Sequence, residues 1–591
     1  MNKKFLRVLG ILLIIGMFLS ACGGTAATTT APASKEATEE AEKTTAAPEK
    51  TTAAPEETSA APEETTAAPE ETTAAPEETE AAETDAGGSA LLPNARKLFD
   101  EPTTFSILAH TTPPSGPDAW TTPNEMPFYA ALQEATNVVI EWETIPWGNW
   151  VERMNILMTG GDYPDAFLKG NIQATDLINY GSQGRFVNLQ PLLKEHAPRF
   201  YELMTERDIE DFLVLGDGIY GMPTIFDSDG VRIGKTFVNE NWLENVGLEP
   251  PTTLDEFTDM LRAFKAEDAN GNGDPDDEFP IGSTSVSGLY SHIYSLWDLG
   301  NRGTSPGQFD IDPDTGKVRY WRISEPMKEV LKTIKTWYDE ELFDHNIFTS
   351  DAGSIFYNNI LEDKYGVHNF WASVSGPDLV NVFQPLPAPL KGDMGQHQNN
   401  VSGTFGSRGA FVITDRCATP EKLLSWVDYF YTEEGAVGYY LGLEGTAYTK
   451  TADGKYELTE HITHNEDGLN QENALLLYAI GSGGQNPAWL TDDTFKGGET
   501  YPTSLKGSEI NKPFIPDIIW NNLPMTEAQA DTVREIQTEI NTVITEFEAK
   551  FVTGELDIDA DWQSYQDTLA SAGVDRLIAV YQEIIDEKGF E

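Results

Sequence analysis

The chain has 591 residues and a formal charge of −57, from 96 acidic side chains against 39 lysines and arginines. That excess argues against nucleic acid, anionic membrane surfaces and strongly acidic substrates as partners. Two cysteines, Cys22 and Cys417, leave no room for a disulfide framework, and eight scattered histidines lack the paired spacing of a zinc site.

Lys3, Lys4 and Arg7 precede an apolar run over 5–19, shorter than the ~20 residues that span a bilayer core. Residues 1–21 are read as a signal peptide. Leu19-Ser20-Ala21-Cys22 matches a lipobox, in which the Cys22 thiol carries a diacylglyceride and begins the mature chain. Two acyl chains, palmitate among them, hold a membrane where one is marginal. Ordinary secretory cleavage nearby is the alternative.

Residues 22–88 are a Thr/Ala/Pro/Glu-rich linker with almost no large apolar side chain, so ordering it would cost entropy that nothing offsets. Pro48, Pro55, Pro62, Pro69 and Pro76 recur every seventh residue without the apolar positions of a coiled coil. The linker is expected to be a disordered tether, with a reach of at most ~200 Å at the polyproline rise. The signal carries +3 and the linker −13, which leaves about −47 on residues 89–591. About 500 residues are too many for one hydrophobic core and enough for two lobes.

In that folded part the chain alternates. A strand over 104–110, a helix over 126–136, a strand over 138–145 and a helix over 150–158 predict a parallel α/β sheet. Gly160-Gly161-Asp162-Tyr163-Pro164-Asp165 punctuates before the next strand starts at Ala166. Asp217-Gly218-Ile219-Tyr220-Gly221-Met222-Pro223 reads as a tight turn into a short strand where the chain leaves one lobe for the other. Thr253 followed by Glu256 is a capping box for a helix to about Lys265, and further helices begin at Pro420 and Thr526.

Six segments carry a resemblance in order and spacing over 100–585. They are Gly161-Asp162-Tyr163-Pro164-Asp165, Asp217 to Pro223, Pro251-Thr252-Thr253-Leu254-Asp255-Glu256-Phe257, Thr432-Glu433-Glu434-Gly435, Gly442-Leu443-Glu444-Gly445 and Lys550-Phe551-Val552-Thr553-Gly554. With these the chain resembles the family 1 extracellular solute-binding lipoproteins, in the long oligosaccharide-binding branch. The resemblance implies a two-lobe periplasmic-binding-protein-like α/β fold, with parallel-type sheets flanked by helices, that closes on a sugar. The first lobe is expected over about 100–225 with a return near 400–450, and the second over about 230–390 and 450–591.

The sharpest local motif runs from Asp268 to Glu278 and resembles an EF-hand loop. Asp268, Asn270 and Asn272 supply alternate oxygens, Gly273 the sharp turn and Asp274 a backbone carbonyl. Phe279 stands where the usual bidentate glutamate belongs, and relatives imply closure by Asp276 and Asp277 instead. Structural calcium is the implied ion, and a solvated Asn-Gly turn is the alternative. Asp310-Ile311-Asp312-Pro313-Asp314-Thr315-Gly316 repeats the pattern superficially but suits a hairpin turn.

Pyranose rings stack on aromatic faces. Among the 13 tryptophans, Trp142, Trp337, Trp426 and Trp562 follow strand or helix periodicity and are assigned to the core. Trp297, Trp371 and Trp489 lie in loop-like contexts and are the stacking candidates, with Trp120 and Trp147 behind them. Arg232 and Arg408 are candidates for sugar hydroxyls, against an intramolecular salt bridge. Gly230 to Thr236 is one residue short of a P-loop.

The sequence therefore predicts a non-enzymatic, lipid-anchored, monomeric receptor on the outer face of the cytoplasmic membrane. It captures a carbohydrate and hands it to an ABC importer permease. The alternatives are a surface glycoside hydrolase or polysaccharide-active lipoprotein, and a receptor or sensor for peptides or other solutes.

Overall fold

The computed structural model describes residues 91–111, 119–467, 469–481 and 485–590. The signal peptide, Cys22 and the linker lie outside the described residues. No helix among the described residues is long and apolar enough to cross a membrane.

The predicted alternation appears at the start of the folded part. Strands Thr103–His110, Val138–Ile145 and Ala166–Ile172 are parallel, and Gly409–Ile413 joins antiparallel beside Ala166–Ile172. Register runs from Thr103 opposite Val138 to His110 opposite Ile145. Helices Pro127–Thr136 and Trp150–Gly160 connect the parallel strands, and Gly161 ends the second at a φ of +75°, where glycine meets no steric penalty.

The second sheet is ordered Phe383–Pro385, Phe237–Asn239, Tyr365–His368, Phe279–Ile281, with Phe237–Asn239 antiparallel to both neighbours. Helix Leu254–Ala266 leads into it through the capping box, in which Thr253 accepts from Glu256 N (3.3 Å) and Glu256 accepts from Thr253 N (3.2 Å).

Three chain segments run between the sheets. Residues 222–236 and 400–411 lie antiparallel and exchange backbone hydrogen bonds: Met222 with Phe411, Phe226 N to Thr404 O, Ser402 N to Arg232 O and Gly234 N to Asn400 O. The third segment begins at Trp489–Thr491, which pairs parallel with Ile225–Asp227. The turn at Asp217 and Gly218 thus feeds the first of these segments.

The core around the first sheet contains Ile107, Leu168, Phe411, Trp426 and Phe430, and also Tyr448, Ile462, Leu475, Leu490 and Phe495. Residues near 450–495, expected with the second lobe, therefore pack on the first. Helix Glu433–Leu441 gives the reason. Gly435 through Leu441 are all buried, so the helix has no solvated face, and a helix apolar all round needs a layer on each side. One side is formed by Phe128 and Phe430, and the segment 462–495 supplies the other through Gly481, Asn486 and Phe495.

The long helix Glu527–Thr553, capped by Thr526 and Gln529, packs against both Glu325–Asp339 and Ala174–Ser182. Trp337, Trp426 and Trp562 are buried as predicted, whereas Trp142 is half-buried and donates to Asn124 Oδ1 (2.9 Å). The buried guanidinium of Arg322 pairs with the buried Glu548 carboxylate and sits 5.0 Å from the Tyr290 ring. That pair fixes the long helix to the second lobe. Because removing one partner strands a buried charge, Glu548→Ala should cost about 3–5 kcal/mol, while the double change Arg322→Met/Glu548→Leu should cost far less. Urea unfolding of the three proteins checks the difference.

Candidate functional site

In open α/β sheets ligands meet the carboxyl ends of the strands. At that edge of the first sheet, the imidazole of His110 lies 4.9 Å from the indole of Trp147, which is 46% exposed. His110 Nδ1 and Thr111 Oγ1 are buried, and neither has a hydrogen-bond partner among the described residues. Burial, helped by the Lys169 charge, holds the imidazole near a pKa of about 4, so it is neutral at physiological pH.

Lys169 stands on the neighbouring strand end at a φ of +57°, with Asn171 at +42°. Gly170 between them is required, because a Cβ there would lie 2.3 Å from Trp150 Cζ2. Left-handed non-glycine backbone costs ~1–3 kcal/mol per residue and collects at ligand clamps. Lys169 Nζ donates to Ile480 O (2.7 Å), and burial lowers its pKa to about 7.

At the matching edge of the second sheet, strand Tyr365–His368 runs out into Asn369, Phe370 and Trp371. His368 lies between Phe237 (5.2 Å) and Phe383 (4.6 Å), and His292 Nδ1 meets Thr236 Oγ1 at 2.9 Å. Burial drops both imidazoles to a pKa of about 3, and each keeps a buried Nε2 with no partner among the described residues. Thr236, Ser291, His292, Asn369 and Asn400 line a small polar cavity of about 30 Å³, room for a water molecule.

Trp371 is half-buried and faces Tyr357 at 6.4 Å, whose ring is 41% exposed. Beside it one oxygen of Glu472 accepts from Ser373 Oγ (2.8 Å) and from Gly498 N (2.9 Å). Both edges thus present an aromatic face amid polar groups held mostly uncharged.

The predicted ligand residues scatter against this frame. Trp147 and Trp371 stand at the two edges. Trp489 lies on the third crossing segment, half-buried, and donates its indole N–H to Asp227 Oδ2 (2.7 Å), which also pairs with Arg207. Trp297 is half-buried at the end of the turn Tyr294–Trp297 and packs on the large core. Trp120 is 4% exposed and donates to Leu476 O (2.7 Å), a core position. Among the described residues neither arginine forms a salt bridge. Arg232 Nε donates to Ser402 O (3.3 Å) and Gly403 O (3.1 Å), and the buried Arg408 donates to Phe212 O (2.9 Å) and Leu523 O (3.1 Å). Both tie backbone segments together.

His110, Lys169, Tyr357, Ser373 and Glu472 carry no local signature. Strand ends point to His110 and Lys169 once the sheet is known, but Glu472 is one carboxylate among 96.

The EF-hand-like loop coils through successive side-chain turns. Asp268 Oδ2 accepts from Gly273 N (2.9 Å), Asn270 Oδ1 from Asn272 N (2.9 Å) and Asn272 Oδ1 from Asp274 N (2.7 Å). Gly271 and Gly273 have φ of +71° and +92°. Asp276 N donates to Asp274 Oδ1 (3.4 Å), while Asp277 is held by the side-chain amides of Asn270 (3.0 Å) and Asn272 (3.1 Å). Among the described residues Asp268 Oδ1 and Glu278 Oε2 are buried without partners, and burial raises the pKa of Glu278. Among the described residues no three His, Cys, Asp or Glu side chains are gathered as a metal site. The two orphaned carboxylate oxygens nonetheless suit a hard cation. Asp310 instead pairs with Arg319 (2.7 Å), and 312–317 turn the hairpin between Phe309–Ile311 and Val318–Tyr320, as predicted.

Lysine 169 makes a pH-dependent contribution. Between its folded pKa of about 7 and the free value of 10.5, only the unfolded chain binds the proton, so stability rises with pH across that window. Lys169→Met should flatten this rise, as read from unfolding midpoints at pH 7 and pH 9.5.

The chain matches the model for bacterial extracellular solute-binding proteins over residues 119–437, and a domain of unknown function, DUF3502, over 529–587. It is 25% identical over 520 residues to the fructooligosaccharide ABC transporter substrate-binding protein FusA of Streptococcus pneumoniae, covering 83% of this chain and 91% of that one. The structure of FusA in complex with kestose superposes with a TM-score of 0.67 at 23% identity, over 82% of this chain and 99% of that one, and an EF-hand mutant of FusA matches equally. The alginate-binding protein AlgQ2 without calcium ion matches with a TM-score of 0.68 at 21% identity, over 83% and 99%. These likenesses fit the two-lobe periplasmic-binding-protein-like fold, and the chain belongs to the family of bacterial extracellular solute-binding proteins.

Proposed function

We propose that this protein is the extracellular receptor of an ABC importer and that its solute is a carbohydrate, an oligosaccharide rather than a single sugar. The observation that carries the reading is the pairing of sheet edges that each hold an aromatic face, Trp147 on one and Trp371 with Tyr357 on the other, amid polar groups left uncharged by burial. Sugar hydroxyls are neutral and both donate and accept, so uncharged histidines and amides match them, and the rings supply contact area. Relatives named for fructooligosaccharide and alginate support the solute class.

In this reading no bond is broken. The lobes, joined by the three crossing segments, close on the solute because it contacts both at once. The first lobe comprises about 100–225, 400–450 and the packed segment to 495, and the second the remainder. Cys22 carries the lipid that holds the receptor at the outer face of the membrane, and residues 22–88 are the tether that lets a monomer reach the permease.

Calcium belongs to the same proposal, supported by relatives named for an EF-hand and for a calcium-free state. Asp268, Asn270, Asn272, Asp274, Asp276 and Asp277 would hold it, and the buried Glu278 Oε2, unpartnered among the described residues, supports adding Glu278 to the set. The ion would brace the loop leading into strand Phe279–Ile281.

Two outcomes follow. In calorimetry against an oligosaccharide panel, Trp371→Ala should weaken binding by ~1–3 kcal/mol with little change in melting temperature; a lowered melting temperature with unchanged affinity would make it a core residue. EDTA should lower the melting temperature of the wild type, calcium should restore it, and Asp268→Ala should show neither effect.

A further inference from the structure

Glu472 joins three parts of the chain that belong to different bodies. It lies in helix Gln471–Leu475, whose Ala474 and Leu475 are buried in the core around the first sheet. Its donor Ser373 lies in the turn Ala372–Ser375, whose Ala372 and Val374 are buried with Phe237, Tyr365 and Phe383 of the second lobe. Its other donor, Gly498 N, follows the third crossing segment, and Tyr501 just beyond packs on the second-lobe cluster.

The surrounding geometry is built for close approach. A Cβ on Gly498 would fall 2.4 Å from Ser373 Oγ and 2.7 Å from Trp371 Cδ1, so glycine allows the Trp371 turn to lie against this backbone. Gln471 Nε2 donates to Lys496 O (2.8 Å), which fixes the helix start to the same crossing segment. A charged acceptor shared by two donors is among the stronger hydrogen-bonded arrangements.

We infer that Glu472, Ser373 and Gly498 form an interlobe clasp that holds the two lobes together in the absence of solute and sets the position of Trp371. Glu472 is a positioning residue: it reaches the solute through the Trp371 turn. The clasp biases the protein toward the closed arrangement before binding, so solute does not supply the whole free energy of closure. This rests on the two-lobe reading and is independent of which solute is captured.

The test uses the full chain in a Cys22→Ser background, with spin labels on cysteines at Val151 and Leu361, which are exposed on helices of the first and second lobes. Cys417 is buried, with its thiol pushed up to about 11, and stays unlabelled. Distance distributions are recorded without any solute, so the outcome cannot depend on the carbohydrate assignment. The ratio of short to long distances should fall roughly tenfold in Glu472→Ala and roughly threefold in Ser373→Ala, and fall by less than in Glu472→Ala in Glu472→Gln, which keeps the acceptor oxygen but not its charge. Solute dissociation should accelerate in the same order. Wild-type distributions in both Glu472→Ala and Ser373→Ala would overturn the clasp. Should Glu472→Ala fail to fold, Ser373→Ala, which deletes a single oxygen, still decides.

Discussion

The structure depends on one constraint, the pairing of residues 222–236 with 400–411 by backbone hydrogen bonds between the two sheets. Those bonds satisfy peptide groups along the ribbon as the chain passes between the sheets. The pairing also demands close backbone approach. A Cβ at Gly221 would lie 2.3 Å from Arg408 O, and one at Gly234 would lie 2.9 Å from Asn400 O. Arg232 and Arg408 complete the ribbon by donating to carbonyls of segments that side chains alone would not hold. A ribbon of this kind keeps its hydrogen bonds while the bodies it connects rotate, which is what a closing receptor requires.

With the ribbon in place, the carboxyl edges of the two sheets become the places where a solute is met. Their chemistry is set by burial rather than by net charge. Three histidines lie in or beside these edges, and desolvation keeps each neutral at physiological pH despite the acidic chain. The large negative charge is carried on solvated faces, where it favours solubility and leaves the polar edges suited to a neutral, hydroxyl-rich partner.

Much of the fold was legible because local signals agreed with the final packing. The strands read at 104–110 and 138–145 and the helices around them alternate cleanly, and the Thr253 capping box and the Thr526 cap marked helix starts that formed as read. The division of lobes was less legible beyond residue 450, since only the all-round burial of helix Glu433–Leu441 reveals that residues 462–495 must cover it. The site was partly legible. Loop context singled out Trp371, and it also singled out Trp297, which packs on the core. Trp120 shows the limit: its indole N–H finds a carbonyl acceptor contributed from residue 476, a partner that no local pattern announces. Arginine in an acidic chain suggested ion pairs, yet Arg232 and Arg408 serve carbonyls, because crossing segments expose backbone acceptors that need donors.

The central claim is that an intact oligosaccharide is captured between the two lobes and released unchanged. Equilibrium dialysis of the purified protein against a mixed oligosaccharide library, with mass spectrometry of both compartments, tests it most directly. Enrichment of one saccharide class on the protein side at one molecule per chain, with no shortened products, is the predicted result; absence of enrichment, or the appearance of cleaved saccharides, would contradict it.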